Sequence, residues 1–524
     1  MLIFRSIHYK FKQVFKYYFN RDFIISRKDK EPLLKLANAI NNSFINNKSI
    51  QKSAILVEGH FANSGINYLF RTILLAKTLQ EEYGGELAVV FNGTKNSFWR
   101  KPIFLYKKVG FSKFIFCDWE YKAHKTHIIH RLSLHLWNQI NHPSDIINLY
   151  IDDILIGDLL YDDILKKENL STIKELKLNH KQYFDNISRY YFDYDNLFKK
   201  NKYIYYISTH TAYSEYGLIC RIALKYNVKV FETTDIHTAF FTDPKINPTY
   251  HQGFKNIISK KMKFYDNKED LKTSLLLKYN NHLEKRMLND VNQIDVKYAY
   301  ENKVIFDREK LALLYSVDQK KKNIFIVAHV FKDSPHISSH LLFNDYYDWF
   351  FQTIKYCNEN SDKYNCFVKA HPSSELYGET GLINNILNKN KFDNIYMLSE
   401  DFSPKSFVNC ADAIITCQGT VGIEFSCLGI PIITAGAAFY CNYGFTIDST
   451  SQYDYFINLS NLDKIKKLNK DQIINANYVY CLYNELITSE NPLISTEVLE
   501  FVWGLGREID IDKAFRLFLN NLEF

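Results

Sequence analysis

From Asn323 onward the chain alternates short apolar runs with segments of helical spacing, and this alternation constrains the fold more than any other feature. Residues 324–328, 366–369, 395–398, 413–416 and 430–434 read as strands. Helical segments at about 344–357, 379–388, 403–409 and 420–428 lie between them. A less regular alternation precedes this one. Residues 54–57 form an apolar run that stops at Glu58-Gly59-His60, and residues 66–83 place apolar side chains at 66, 69, 70, 73, 74 and 76. Residues 87–91 then read as a second strand. A strand, a glycine-containing turn, an amphipathic helix and another strand make a βαβ unit, hence a parallel sheet. Residues 113–117, 203–207 and 228–231, with a helix at 213–226, continue it.

The fold class expected is therefore α/β, with two Rossmann-like domains facing across a cleft. The division predicted is a basic amphipathic segment at 1–50, an N-terminal domain at 51–310, a C-terminal domain at 320–460 and helices at 461–524 packing back on the body. Residues 160–200 read as a polar helical insertion, and the charged stretch 255–320 as the crossover between domains.

Composition narrows the function classes. Of 524 residues, 46% are hydrophobic and 23% charged, with 40 Phe and 38 Tyr against 10 Pro and 18 Gly, which excludes disordered and collagen-like chains. The nine cysteines are scattered without a CxxC pair, against both a zinc site and a disulfide framework. The formal charge is +7, but residues 1–30 hold eight bases against two acids, so the body is close to neutral. Nucleic-acid binders spread basic charge over a folded face, so nucleic acid is not an expected partner. No run of about 18 apolar residues suggests a membrane span, and the N-terminus lacks the pattern of a signal peptide. The expected location is the cytoplasm. On a helix, Ile3, Phe4, Ile7, Phe11, Val14, Phe15 and Tyr18 share one face and Arg5, Lys12 and Lys16 lie off it, a pattern suited to peripheral docking on the anionic inner membrane.

In doubly wound sheets, ligands bind at the carboxyl ends of the strands, so chemistry is sought there. After residues 366–369 comes Lys369-Ala370-His371-Pro372, which puts an imidazole where a phosphate oxygen would sit. After 413–416 comes Cys417-Gln418-Gly419-Thr420-Val421-Gly422-Ile423-Glu424. Gly419 and Thr420 would open a helix whose free N–H groups attract anions, with Glu424 one turn on to accept from a sugar hydroxyl. Asp152, Asp153, Asp158 and Glu58 are carboxylates available as the base, with His329, Asp333 and His336 on the donor side and His60, His210 and Tyr213 on the acceptor side. Each of these also has a plain structural reading: N-cap, loop carboxylate or core histidine.

Taken together, His371-Pro372, the Gly419–Glu424 run and Leu428-Gly429-Ile430-Pro431 resemble the C-terminal half of GT-B glycosyltransferases of capsule and lipopolysaccharide synthesis. Within that group the chain is most similar to capsular polysaccharide biosynthesis proteins that use CMP-activated ulosonic acids: Kdo, pseudaminic and sialic acids. Two further stretches carry the likeness, Ala328–His336 followed by Asp345-Tyr346-Tyr347-Asp348-Trp349, and Ile156-Gly157-Asp158-Leu159-Leu160-Tyr161-Asp162. The resemblance implies a nucleotide-sugar donor held by the C-terminal domain through Lys369, His371, Pro372, Gln418, Gly419, Thr420 and Glu424. A glycan or lipid-linked glycan acceptor would sit on the N-terminal domain. In bacterial GT-B sialyltransferases an HP motif contacts the CMP phosphate, and His371-Pro372 matches it. The base comes there from an acidic-acidic-Gly motif, to which Asp152-Asp153 is the nearest match, with Ile154 in place of the glycine. No cofactor and no metal is expected. The alternatives are a UDP- or GDP-hexose transferase, a teichoic-acid-type glycerolphosphotransferase, and a non-catalytic capsule assembly protein.

Overall fold

The structure, a computed structural model, describes residues 27–44, 54–59, 66–92, 100–117, 123–233, 238–279, 281–288, 300, 302–338 and 340–488. The basic segment 1–26 and His60 lie outside the described residues.

Eight strands build the first half: β1 (Ala54–Glu58), β2 (Glu86–Phe91), β3 (Lys113–Phe116), β4 (Tyr150–Ile151), β5 (Ile154–Leu155), β6 (Tyr203–Ser208), β7 (Lys229–Thr233) and β8 (Thr238–Phe241). Six of them form one sheet in the order β3-β2-β1-β6-β7-β8, parallel except for β8. Successive side chains of a strand point to opposite faces. Accordingly Leu56 and Val90 join the core on one side of the sheet, while Ile55, Val57 and Val89 join the core on the other. Both faces are covered, so these strands read as unbroken apolar runs.

The second half repeats the plan with β9 (Lys322–Val327), β10 (Tyr364–Lys369), β11 (Ile395–Met397), β12 (Ala413–Thr416), β13 (Ile432–Thr434) and β14 (Thr446–Asp448). Their order, β11-β10-β9-β12-β13-β14, is wholly parallel. It reverses direction between β9 and β12, which makes the loops after those strands the mouth of a ligand crevice. Two doubly wound domains in one chain are the GT-B architecture. Among the described residues, no helix is long and apolar enough to cross a membrane.

Packing redraws three of the expected boundaries. Residues 160–200 are no insertion: Tyr161, Ile164, Phe184, Ile187 and Tyr194 share a core with Leu56 and Tyr206, so helices Gly157–Glu168 and Lys181–Lys200 are a structural layer of the first domain. Of the stretch placed at the end of the N-terminal domain, the described helices between 250 and 287 bury most of their apolar side chains in the second domain, while Ile257 of helix Tyr250–Tyr265 also packs on the first. Phe254, Ile258, Leu275, Tyr279 and Leu283 share a core with Phe325, Phe439 and Tyr480 of the second. Within 1–50, helix Arg27–Ser43 buries Leu33, Leu36 and Ile40 beside Ile55 and Val57, so this part belongs to the first domain. The charged surface of these helices carried no information about which domain their apolar faces would meet.

Gly157 shows how closely one turn is packed. A Cβ there would lie 1.8 Å from the carbonyl oxygen of Ile146 and 2.6 Å from the amide nitrogen of Leu149. Both obstacles are backbone and cannot swing aside. We expect Gly157→Ala to cost about 3 kcal/mol, the upper end for overpacking. Chemical denaturation measures this; a loss below about 1 kcal/mol would show that the 143–149 turn yields readily.

Candidate functional site

The carboxyl ends of β9, β10 and β12 converge on a cavity of about 560 Å³, within the range of nucleotide and drug-sized ligands. His329, Lys369, His371, Pro372, Gly419, Thr420 and Glu424 all line it. Of the donor-side residues picked out in the sequence, these seven are brought together.

His371 follows β10 by two residues. Its Nδ1 accepts the backbone N–H of Ser373 at 3.1 Å, which puts the proton of the neutral ring on Nε2. The half-buried imidazole on the cavity wall is thus oriented as a donor. His329 lies deeper. Its Nε2 accepts the backbone N–H of Gln418 at 3.1 Å and its ring stacks on Tyr346 at 4.2 Å. Burial, helped by His371 and His251, holds its pKa well below the usual histidine range. A neutral His329 therefore pins the loop after β12.

That loop is shaped by its glycines. Tyr440 donates to the carbonyl of Gly419 at 2.6 Å, and a Cβ on Gly422 would fall 2.2 Å from the Tyr440 hydroxyl oxygen. Helix Val421–Ser426 follows at once, and Thr420 makes no side-chain cap to it. Glu424 is buried, and is held by Arg286 Nε at 3.0 Å and the Tyr300 hydroxyl at 3.3 Å. Arg286 and Tyr300 were not foreseen. They arrive from the linker, more than a hundred residues away along the chain, with no local pattern to mark them. The same holds for Glu379, whose carboxylate accepts the backbone N–H groups of Phe331 at 3.1 Å and Lys332 at 3.2 Å and ties the loop after β9 to the cavity edge.

Other expected residues lie elsewhere. Gln418 is 2% exposed and does not line the cavity; its Nε2 donates to the Pro335 carbonyl at 3.1 Å and also meets the Tyr346 hydroxyl. Asp333 meets Lys166 at 3.2 Å, Tyr213 at 3.3 Å and Tyr377 at 2.9 Å, an arrangement that bridges the domains. His336 pairs with Asp162 at 2.6 Å, and Tyr161 donates to Asp345 at 2.7 Å. Burial works against a charged His336, but Asp162 overrides it and raises the pKa above the usual range. The stretches 156–162 and 328–345, singled out separately in the sequence, are thus two sides of one interdomain seam.

Of the four carboxylates considered as the base, Asp152 and Asp158 are held by cations, Asp153 is exposed in a turn and Glu58 is buried. Asp152, with φ 41°, and Asp153 form the exposed two-residue turn between β4 and β5, a hairpin absent from the sequence reading. Tyr191 donates to Asp152 and Lys225 pairs with it at 3.0 Å; the two hold its pKa below the ordinary carboxylate range, which weakens it as a base. Asp158 is clamped by both terminal nitrogens of Arg221, at 2.7 and 2.6 Å. On the acceptor side, Glu58 ends β1 buried and bonded to Thr209, and His210 Nδ1 accepts the Ala212 N–H at 3.0 Å. Burial lowers the His210 pKa, against the pull of Glu232 and Asp333. Among the described residues, no group of three or more His, Cys, Asp or Glu is placed to hold a metal ion.

Residues 238–488 match the family model of capsule polysaccharide biosynthesis proteins. That span runs from β8 through the linker helices to the last described helix, and contains every residue named above on the cavity wall. No curated protein matches the chain. Among solved structures it is similar to the Thermosulfurimonas dismutans KpsC beta Kdo 2,4 transferase, at 13% identity over 56% of this chain and 93% of that one, with a TM-score of 0.31. The beta Kdo 2,7 transferase of the same KpsC is 16% identical over 58% and 88%, with a TM-score of 0.29. A glycosyltransferase from Rickettsia africae ESF-5 is 12% identical over 90% and 100%, also with a TM-score of 0.29.

Proposed function

We propose that the chain is a glycosyltransferase that binds a nucleotide-activated sugar, a CMP-linked ulosonic acid, in this cavity and transfers the sugar to a growing capsular or lipopolysaccharide glycan. The observation that carries the reading is His371, held at the end of β10 with its donor nitrogen fixed by the Ser373 N–H. Glycosyl transfer breaks the bond between the anomeric carbon and the phosphate, and negative charge develops on the departing phosphate. A preoriented N–H donor at that oxygen stabilises the charge without reorganisation. Thr420, also on the cavity wall, would add a hydroxyl, and Glu424, steadied by Arg286, would accept from a ribose or sugar hydroxyl.

Thermal shift with CMP, UDP and GDP tests the reading. CMP at a hundred times its Kd is expected to stabilise the protein by about 2.7 kcal/mol, with UDP and GDP inert. Thr420→Val should weaken CMP roughly ten-fold or more, the loss of a hydrogen bond to a charged group. Stabilisation by UDP or GDP alone would point to a hexose donor, and indifference to all three to an assembly protein.

A further inference from the structure

Two ammonium groups meet on the cavity wall near His371. Lys369 is the last residue of β10, and Lys303 lies in the segment that leads into helix Arg308–Tyr315. Lys303 donates to the carbonyl oxygen of Glu400 at 2.9 Å and Lys369 donates to the same oxygen at 3.2 Å. Sharing one acceptor, the two nitrogens can be no more than about 6 Å apart. Lys369 spends a second proton on the carbonyl of Ser399, at 2.9 Å. Both side chains line the cavity. Among the described residues neither has a carboxylate at ion-pair distance; Glu400 and Asp401 act on Lys369 only through space. Burial first, and then Lys303, push Lys369 down to about 8.

A half-buried pair of like charges, anchored by carbonyls and with no carboxylate at ion-pair distance among the described residues, favours an anion between its free N–H groups. The phosphate of the donor already has His371, two residues further along the chain. A nucleotide-linked ulosonic acid carries a second anion, because its carboxylate stands on the anomeric carbon that also bears the phosphate. Neighbouring anions on the ligand meet neighbouring cations on the wall.

Resting on the donor reading above, we propose that Lys303 and Lys369 form a carboxylate subsite that selects donors bearing an acid group on the anomeric carbon. A neutral hexose, or the glycerol of CDP-glycerol, has nothing to place there. Binding of CMP, CDP-glycerol, CMP-Kdo and CMP-N-acetylneuraminate to the full chain, by calorimetry, tests this with the Lys303→Met/Lys369→Met variant alongside. The unaltered protein should prefer one of the two acid-bearing donors to CMP and CDP-glycerol, and the double variant should lose roughly ten-fold or more of that preference. Its affinity for CMP itself should stay within about three-fold. If the variant does not fold, Lys303→Met alone carries the test, since that side chain is only partly buried. Equal loss for CMP and the acid-bearing donors would place the lysines on the phosphate and overturn the subsite while leaving the donor reading intact. No preference for an acid-bearing donor in the unaltered protein would overturn it as well. Failure of every cytidine ligand to bind would overturn both.

Discussion

Replacing His371 with alanine is expected to lower turnover of the activated donor by roughly 10²–10³-fold, the loss that follows removal of one preoriented donor to a developing oxyanion. Stability should move little. The imidazole is half-buried at a strand end rather than packed in a core, and losing its bond to the Ser373 N–H leaves an amide that water can satisfy at the cavity surface. CMP release from the donor gives the rate, and a denaturation midpoint gives the stability. His371→Gln, which keeps a donor on a neutral side chain, should recover part of the loss. A variant that unfolds while its remaining folded fraction turns over at the full rate would remove His371 from the chemistry.

The second large effect concerns Asp158. Its side chain is 10% exposed and that of Arg221 is 2% exposed, and the two make a bidentate pair at 2.7 and 2.6 Å. Arg221 also reaches the Leu155 carbonyl at 2.5 Å, so the pair ties helix Leu218–Lys225 to the start of helix Gly157–Glu168. Asp158→Ala would leave a buried guanidinium without a counter-charge, at a cost of about 3–5 kcal/mol. Replacing both partners, Asp158→Leu with Arg221→Met, should restore most of that, because an apolar pair leaves no charge uncompensated. Denaturant unfolding of the three variants measures the difference. An Asp158→Ala protein within about 1 kcal/mol of the parent, with turnover abolished, would make Asp158 the base and not a clamp.

The contrast between these two residues shows where sequence reading succeeds. The place of His371 on the cavity wall was legible because a strand end is a local property: a buried apolar run, a proline that stops it and a histidine between them suffice. The strands of the second domain were legible for the same reason, since residues buried on both faces are apolar whatever lies around them. The Arg221 partner of Asp158 was not legible, because it is 63 residues away. An Asp at the first turn of a helix looks the same whether it caps, catalyses or binds an arginine. The hairpin that carries Asp152 and Asp153 was not legible because it is only two residues long on each side, too short for any alternation to register.

Sequence by itself therefore determined the two doubly wound domains, the position along the chain of most strands, and the histidine, lysine and glycine-threonine run at their carboxyl ends. Those follow from periodicity and from residue types that act within a few positions of one another. Only the tertiary structure decided which domain the linker helices join, that Arg286 and Tyr300 brace Glu424, that the two motif stretches form the seam between domains, and that Lys303 stands beside Lys369. Each of these is a contact between segments that are distant along the chain, and such contacts depend on how the apolar faces of sheets and helices close over one another, which no local pattern encodes.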